Sequence, residues 1–372
     1  MRQPHRPAKG RGVVTYSPGA KGAPDGHVAS TRKEIARRLA AFMGFAYEGE
    51  YDPHQSYAAP PYFVPSATLT SEEASRLGVC GLHDLFGGVV PCAFVATKTI
   101  THSLLDFESS APAGWCPEFP RRVADVVLDG FSVFAKEDAL LAGRRLLAFG
   151  PIRVKRATGI AGLGQTIVGD AAELARALDA IDAEEMGRFG AVVEQNLTEV
   201  ITYSVGQVRV AEVVGTYHGT QHLTTNNRGA EVYGGSDLIV VQGDFDAMLT
   251  LTLPEEIRLA IAQARAYDDA AAQCFDGLFA SRRNYDVAQG LDSVGQRRSG
   301  VLEQSWRLGG ASGAEIGALE AFRADPSLRT VRAMSREVYG EAPVLPSNAA
   351  VYFSGNDPHV GPLTKYAWTE IP

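Results

Sequence analysis

Lys155 closes a β-branched run at 152–154, and Gly159, Gly162 and Gly164 follow it before a second β-branched run at 166–168. A lysine at a strand end beside a glycine-studded turn is a device for holding phosphates. Small residues let backbone N–H groups approach anionic oxygens, and the ammonium adds a point charge. The same stretch reads equally as a surface hairpin with a solvated lysine. Downstream, an apolar strand at 191–194 ends on Glu194 and runs on through Gln195 and Asn196 to Leu197. A carboxylate or carbonyl there can accept from the amino group of an adenine; taken alone, a strand end with an exposed glutamate is the simpler reading. A third stretch pairs acids. The runs 285–288 and 300–304 form an expected hairpin that sets Asp286 and Glu303 on facing strands, with Arg282 and Arg283 just before and Arg307 just after. Mg²⁺ typically takes one or two carboxylates plus substrate phosphates, whereas surface ion pairs contribute little. Three arginines and two acids around short apolar strands favour the site.

Other reactive types carry less. His218 and His222 lie four apart on an expected strand without an acid or cysteine partner in sequence, and read as structural. Cys116 sits in a loop with no histidine paired to it, and an inert thiol is expected. The polar segment with Asn226, Asn227 and Arg228, then Tyr233 and Ser236, reads by itself as a set of plain surface turns. No G-x-x-x-x-G-K-[ST], G-x-G-x-x-G or G-x-S-x-G occurs, so a P-loop, a dinucleotide fold and an α/β-hydrolase are not indicated.

The elements that must position these residues are legible in part. Three sequences of capping-box form, at 31–34, 70–73 and 170–173, open helices expected to end near 42, 78 and 181. Short strands are expected at 13–16, 62–64 and 92–96, the last leading into Lys98. Residues 123–128 and 130–134 read as strands or a helix end, and 137–147 as a helix. Alternation over 200–215 and 217–223 predicts antiparallel sheet, with loops at 226–229 and 233–235 and a strand at 238–241. Pro254, at the first helical position, opens a long helix to about 275; a loop at 309–313 and a helix at 314–322 follow.

The chain has 372 residues, a net charge of −8 and 45% hydrophobic content, so it can bury large cores and has no general basic footprint for nucleic acid. Its basic clusters are local and suit a small anionic ligand. The four cysteines make no C-x-x-C pair, no apolar signal core or membrane-length run occurs, and a cytoplasmic protein with reduced thiols is expected.

In order, VKRATGIAGLGQ, VVEQNL, YDVAQG and VLEQSWRLGG resemble the ATP-grasp superfamily from about residue 98 to 315, and the chain is also similar to a group of uncharacterised bacterial ATP-grasp-like proteins. Each motif is weak singly; their order carries the resemblance. It implies an α+β fold in which two lobes clamp ATP, with an α/β pre-ATP-grasp domain at 1–95, the ATP-grasp domain at 96–335 (glycine-loop lobe about 130–195) and a C-terminal extension at 336–372 packing on the body. It implies Mg²⁺ and ATP as cofactors. Lys155 and Lys98 would bind nucleotide, Lys136 being a rival for the second role. Gly159, Gly162 and Gly164 would form a lid over the phosphates. Glu194 and Leu197 would line the adenine cleft, and Glu199 would hold the ribose. Asp286, Glu303 and Ser305 would hold the metal, Arg283 and Arg307 would act in catalysis, and the loop with Asn226, Asn227, Arg228, Tyr233 and Ser236 would face the acceptor site and recognise substrate. The family usually shows Glu-x-Asn-x-Arg where this chain has Glu303-Gln-Ser-Trp-Arg307, so Ser305 replaces an asparagine and Gln304 points to the opposite face of a regular strand. The implied activity is ligation of a small-molecule carboxylate, activated as an acyl phosphate, to an amine or similar nucleophile. A nucleotide-binding sensor or scaffold, which Ser305 favours, and a small-molecule kinase are the alternatives. A homodimer is the resemblance-based expectation; no nucleic-acid or membrane partner is expected.

Overall fold

The computed structural model describes residues 10–18, 26–159 and 164–371. Gly162, expected in the lid, lies outside the described residues. The first unit is a three-stranded parallel sheet, in the order Ala46–Glu50, Gly12–Tyr16, Tyr62–Pro65, covered by the helix Gly26–Met43. Ile35, Leu39 and Phe42 form the helix's buried stripe against Val13 and Val64. The helix is already formed at Gly26, so Thr31 lies inside it and caps nothing. The second pattern does cap. Thr70 accepts from Glu73 N, Glu73 closes the box on Thr70 N, and Gly78 ends the short helix Ser71–Leu77 in the left-handed region at φ +70°. At the third, Asp170 accepts from Ala172 N and Glu173 N, but Glu173 reaches back to Gly169 N, one residue further than a capping box does.

The second unit is a four-stranded antiparallel sheet in the order Gly130–Val133, Ala191–Gln195, Ile152–Arg156, Gln165–Val168. The helices Lys136–Leu147 and Ala171–Asp179 pack on one side of it around Val133, Ile152, Val154, Leu174, Leu178 and Val193. Lys136 pairs with Asp179 on the surface and has no part in the cleft.

The third unit is an eight-stranded antiparallel sheet in the order Arg297–Ser305, Arg282–Leu291, Thr198–Val210, Val213–Thr225, Glu231–Gln242, Thr330–Tyr339, Gly361–Glu370, Ala350–Asp357. The expected loop at 233–235 is inside one of these strands, and the final residues, expected as an extension packed on the body, supply two strands of the sheet itself. The helix Glu255–Cys274 covers its back through Ile261, Ala264 and Tyr267; Pro254 is the residue before the first turn, not in it. The helix Ser312–Ala324 covers one end of the front face, where Leu319 and Phe322 meet Val208 and Val240. The rest of the front face is left open beside the four-stranded sheet. Residues 92–96, expected as a strand, are a 3-10 turn at Ala93–Ala96, and a second at Lys98–Ile100 carries Lys98. No helix among the described residues is long and apolar enough to cross a membrane.

Candidate active site

A cleft of about 930 Å³ lies between the four-stranded sheet and the open face of the large sheet. At one end, Lys155 and Glu194 form a buried ion pair, diagonal neighbours on adjacent strands, and His102 Nε2 lies 3.3 Å from the other Glu194 oxygen. Burial opposes the Glu194 charge, but Lys155 and His102 outweigh it and hold its carboxyl at about 2. Beside this pair Leu128, Leu197 and Leu302 give the cleft an apolar slot.

At the other end the strands Arg282–Leu291 and Arg297–Ser305 pair so that Asp286 stands directly across from Glu303, and Asn284 across from Ser305. A β-bulge follows at once, between Asp286 and Val287, and it brings Leu302 into the cleft together with Glu303. Asp286 Oδ1 accepts from Gln221 Nε2 and Asn284 Nδ2, each at 2.8 Å. Burial, then the Glu303 charge, push Asp286 up to about 6. Glu303 is held below its ordinary range despite burial, by Lys98, whose Nζ lies 2.6 Å from it and donates to Gly159 O at 3.1 Å. Two carboxylates crowded on one face of the cleft fit a divalent cation.

Two arginines of the trio named in the sequence serve this end. Arg307 lines the cleft, donates to Leu308 O, and has no carboxylate within 4.0 Å among the described residues. Burial and the neighbouring Arg282 both lower its pKa, as expected of a cation held near another cation. Arg282 is fully buried, pairs with Glu315 at 2.7 Å and donates to Ser305 O, Ser305 Oγ and Arg307 O. Arg283, expected in catalysis, is a correction. It projects from the back of the strand and pairs with Asp268 of the Glu255–Cys274 helix at 2.7 Å. Strand alternation puts residues 282, 284 and 286 on one face and 283 on the other. Gln304 points to the back as expected, where its amide donates to Val95 O and Thr97 O.

Glu199, expected at the ribose, is a second correction. It is exposed, outside the cleft lining, in left-handed backbone (φ +50°) at a bulge in its strand pairing that turns it away. Among the substrate candidates, Asn226 lines the cleft, with its amide oxygen accepting from the turn's own Arg228 and Ala230 N–H groups. Asn227 and Arg228 donate to carbonyls of the 359–362 turn and do not line the cleft. Tyr233 and Ser236 do line it, hydrogen-bonded to each other at 2.7 Å. Gly159 borders an adjoining pocket of about 660 Å³, and Gly164 turns the chain at φ +76° into the second hairpin strand. His222, given no acid partner by the sequence, lies 2.8 Å from Asp237, which pairs with Arg336 at 2.7 Å. Sequence reasoning named Arg282 beside the acids without giving it a role, and passed over Asn284, Gln221 and His102; alternation from Asp286 was the available signal for Arg282 and Asn284.

Two lobes facing each other across a cleft, one carrying the Lys155 hairpin and the other the Asp286–Glu303 pair, define an ATP-grasp fold, and solved structures agree. The chain is similar to carboxyaminoimidazole ribonucleotide synthase from Aspergillus clavatus complexed with ATP (TM-score 0.50, 14% identity, 97% of this chain and 94% of that chain covered). It is likewise similar to phosphoribosylamine–glycine ligase from Thermotoga maritima (TM-score 0.50, 14% identity, 97% and 92% covered). At these identities the likeness is one of fold. No curated protein sequence matches the chain. Within that fold, the chain belongs to the family described as "Protein of unknown function (DUF3182)", which matches residues 15–367.

Proposed function

We propose that the protein is an ATP- and Mg²⁺-dependent ligase that activates a small-molecule carboxylate as an acyl phosphate and joins it to an amine or similar nucleophile. The observation that carries this reading is the single cleft that runs from the Lys155–Glu194 pair to the Asp286–Glu303 pair, with Arg282 and Arg307 beside the acids. The structural relative from Aspergillus clavatus, solved with ATP, supports the nucleotide assignment.

In this reading Leu128, Leu197 and Leu302 enclose the adenine, and Glu194 or the adjacent main chain accepts from its amino group. Lys155 and Lys98 neutralise phosphate oxygens, and Gly159, whose carbonyl accepts from Lys98, stands beside them. Asp286 and Glu303 hold the cation, which would offset phosphate charge. The γ-phosphoryl group passes to a carboxylate oxygen of the substrate and ADP leaves. The amine then attacks the acyl carbon and inorganic phosphate departs. Arg307, lacking a carboxylate partner, stabilises the transferring group, and Arg282 fixes the main chain that presents it. Tyr233 and Ser236 face the acceptor side. No protein nucleophile is required; the work is positioning, charge neutralisation and exclusion of water.

The test is ADP release across a panel of carboxylates with hydroxylamine as the nucleophile. A carboxylate-dependent rise in ADP with a trapped hydroxamate supports the ligase. Nucleotide binding with no carboxylate-dependent turnover supports a sensor or scaffold instead, and a stable phosphorylated product indifferent to hydroxylamine supports a kinase.

A further inference from the structure

At position 305, where the resemblance implies an asparagine, this chain has Ser305, and the strand beside it carries Asn284. Asn284 lies directly across from Ser305 in the strand register, beside the Asp286–Glu303 pair and on the same face. Ser305 is committed elsewhere: its hydroxyl accepts from Arg282 Nη1 at 3.2 Å, and its main-chain oxygen accepts from the same nitrogen at 3.1 Å.

The hydrogen bonds around Asn284 have an imbalance that points to a ligand. Its Nδ2 donates to Asp286 Oδ1 at 2.8 Å, and its Oδ1 lies 3.0 Å from the Tyr217 hydroxyl. That hydroxyl also lies 2.7 Å from Glu315 Oε1, and it has one proton to give. Glu315 is fully buried and paired to Arg282, so it accepts only, and it has the shorter contact. With the proton on the Glu315 contact, two bare oxygens face each other between Tyr217 and Asn284. Half a turn of the amide relieves this contact and moves the crowding to Asp286, because the two ends of an asparagine side chain are set by their hydrogen bonds and not by shape. Nδ2 then donates to Tyr217, and Oδ1 stands beside Asp286 Oδ1. Two oxygens so placed repel unless a cation lies against both. Gly206 makes the arrangement possible, because a Cβ there would collide with the Tyr217 hydroxyl.

We propose that Asn284, through its amide oxygen, is the neutral ligand that completes the divalent-cation site with Asp286 and Glu303, and that Tyr217 and Glu315 lock its orientation while Ser305 serves only to hold Arg282. The metal function has moved from one strand to the position opposite it on the next. This rests on reading the cleft as a Mg-nucleotide site.

The test is Mn²⁺ binding, followed by electron paramagnetic resonance with saturating ADP, on the full chain, with ADP binding measured in parallel by calorimetry. Oxygen ligands of this kind suit Mn²⁺ as they suit Mg²⁺. Asn284→Ala is expected to weaken Mn²⁺ about tenfold or more, and Ser305→Ala about twofold or less. Asn284→Asp separates a ligand from a mere donor to Asp286. It keeps an oxygen and loses the N–H, so it retains Mn²⁺ binding if position 284 is a ligand and loses it if position 284 only donates. Loss in Ser305→Ala with retention in Asn284→Ala overturns the proposal and leaves the ligase reading intact, as does loss in Asn284→Asp equal to that in Asn284→Ala. A wild-type chain that binds neither ADP nor Mn²⁺ overturns both.

Discussion

Lys155 and Glu194 form an ion pair with both side chains about 2% exposed, on adjacent strands at one end of the cleft. Taking two charges out of water is costly, and the pair is tolerated because each satisfies the other. Lys155→Ala leaves Glu194 buried with His102 as its remaining neighbour, and is expected to destabilise the fold by roughly 3–5 kcal/mol in urea unfolding. Replacing both, as Lys155→Met with Glu194→Leu, is expected to restore most of that stability while nucleotide binding stays lost. Stability that recovers together with binding would show that the pair is purely structural.

Arg282 and Arg283 are adjacent in sequence and opposite in role. Arg282→Lys loses the guanidinium fork that joins Glu315, Ser305 and Arg307, and turnover is expected to fall about a hundredfold or more. Arg283→Ala loses the pair with Asp268 on the back of the sheet, so its effect falls on stability, with ADP affinity unchanged. Turnover and ADP calorimetry beside a urea melt separate the two.

The same two residues show how far the site could be read without coordinates. The hairpin, its facing acids and the rearward Gln304 follow from period-two alternation, and so does the choice of Arg282, since 282, 284 and 286 share a parity that 283 lacks. Proximity in sequence to the acids was the weaker guide. Glu199 was beyond reach for a different reason: the bulge that turns it out is a fault in pairing register, and register depends on a strand ninety residues away. Before Lys98, residues 93–96 form a 3-10 turn where a strand was expected, because Phe94 and Val95 are buried by tertiary packing in a short turn as readily as in a strand. The Thr70 box worked where the Thr31 pattern did not, because a capping sequence caps only where the helix begins.

Thr70→Ala removes the hydroxyl that accepts from Glu73 N and is expected to cost about 1 kcal/mol. Adding Glu73→Ala to that variant should cost less than the two single losses combined, because the box is reciprocal. Urea unfolding of the four chains checks this.

His218 is 6% exposed, and burial holds its pKa down to about 4. It is therefore neutral when folded at pH 5, while the unfolded chain takes up a proton below its ordinary value of about 6.5. Stability is lost as pH falls from about 6.5 through about 4, by roughly 3 kcal/mol in all. His27 is held to about 4 as well, first by burial and then by Lys365, and steepens the same window. His218→Gln should flatten the slope of melting temperature against pH between 6.5 and 4; an unchanged slope would remove His218 from that linkage.

The most direct test of the ATP-dependent reading is the thermal melt with and without Mg-ATP, on the wild type and on the double variant Lys155→Met with Glu194→Leu. A ligand that binds only the folded state adds about 2.7 kcal/mol at a hundredfold excess over Kd, which raises the melting temperature by several degrees. The expected result is a rise in the wild type that disappears in the double variant. No rise in the wild type at millimolar Mg-ATP, or an equal rise in both chains, would contradict the assignment of ATP to this cleft.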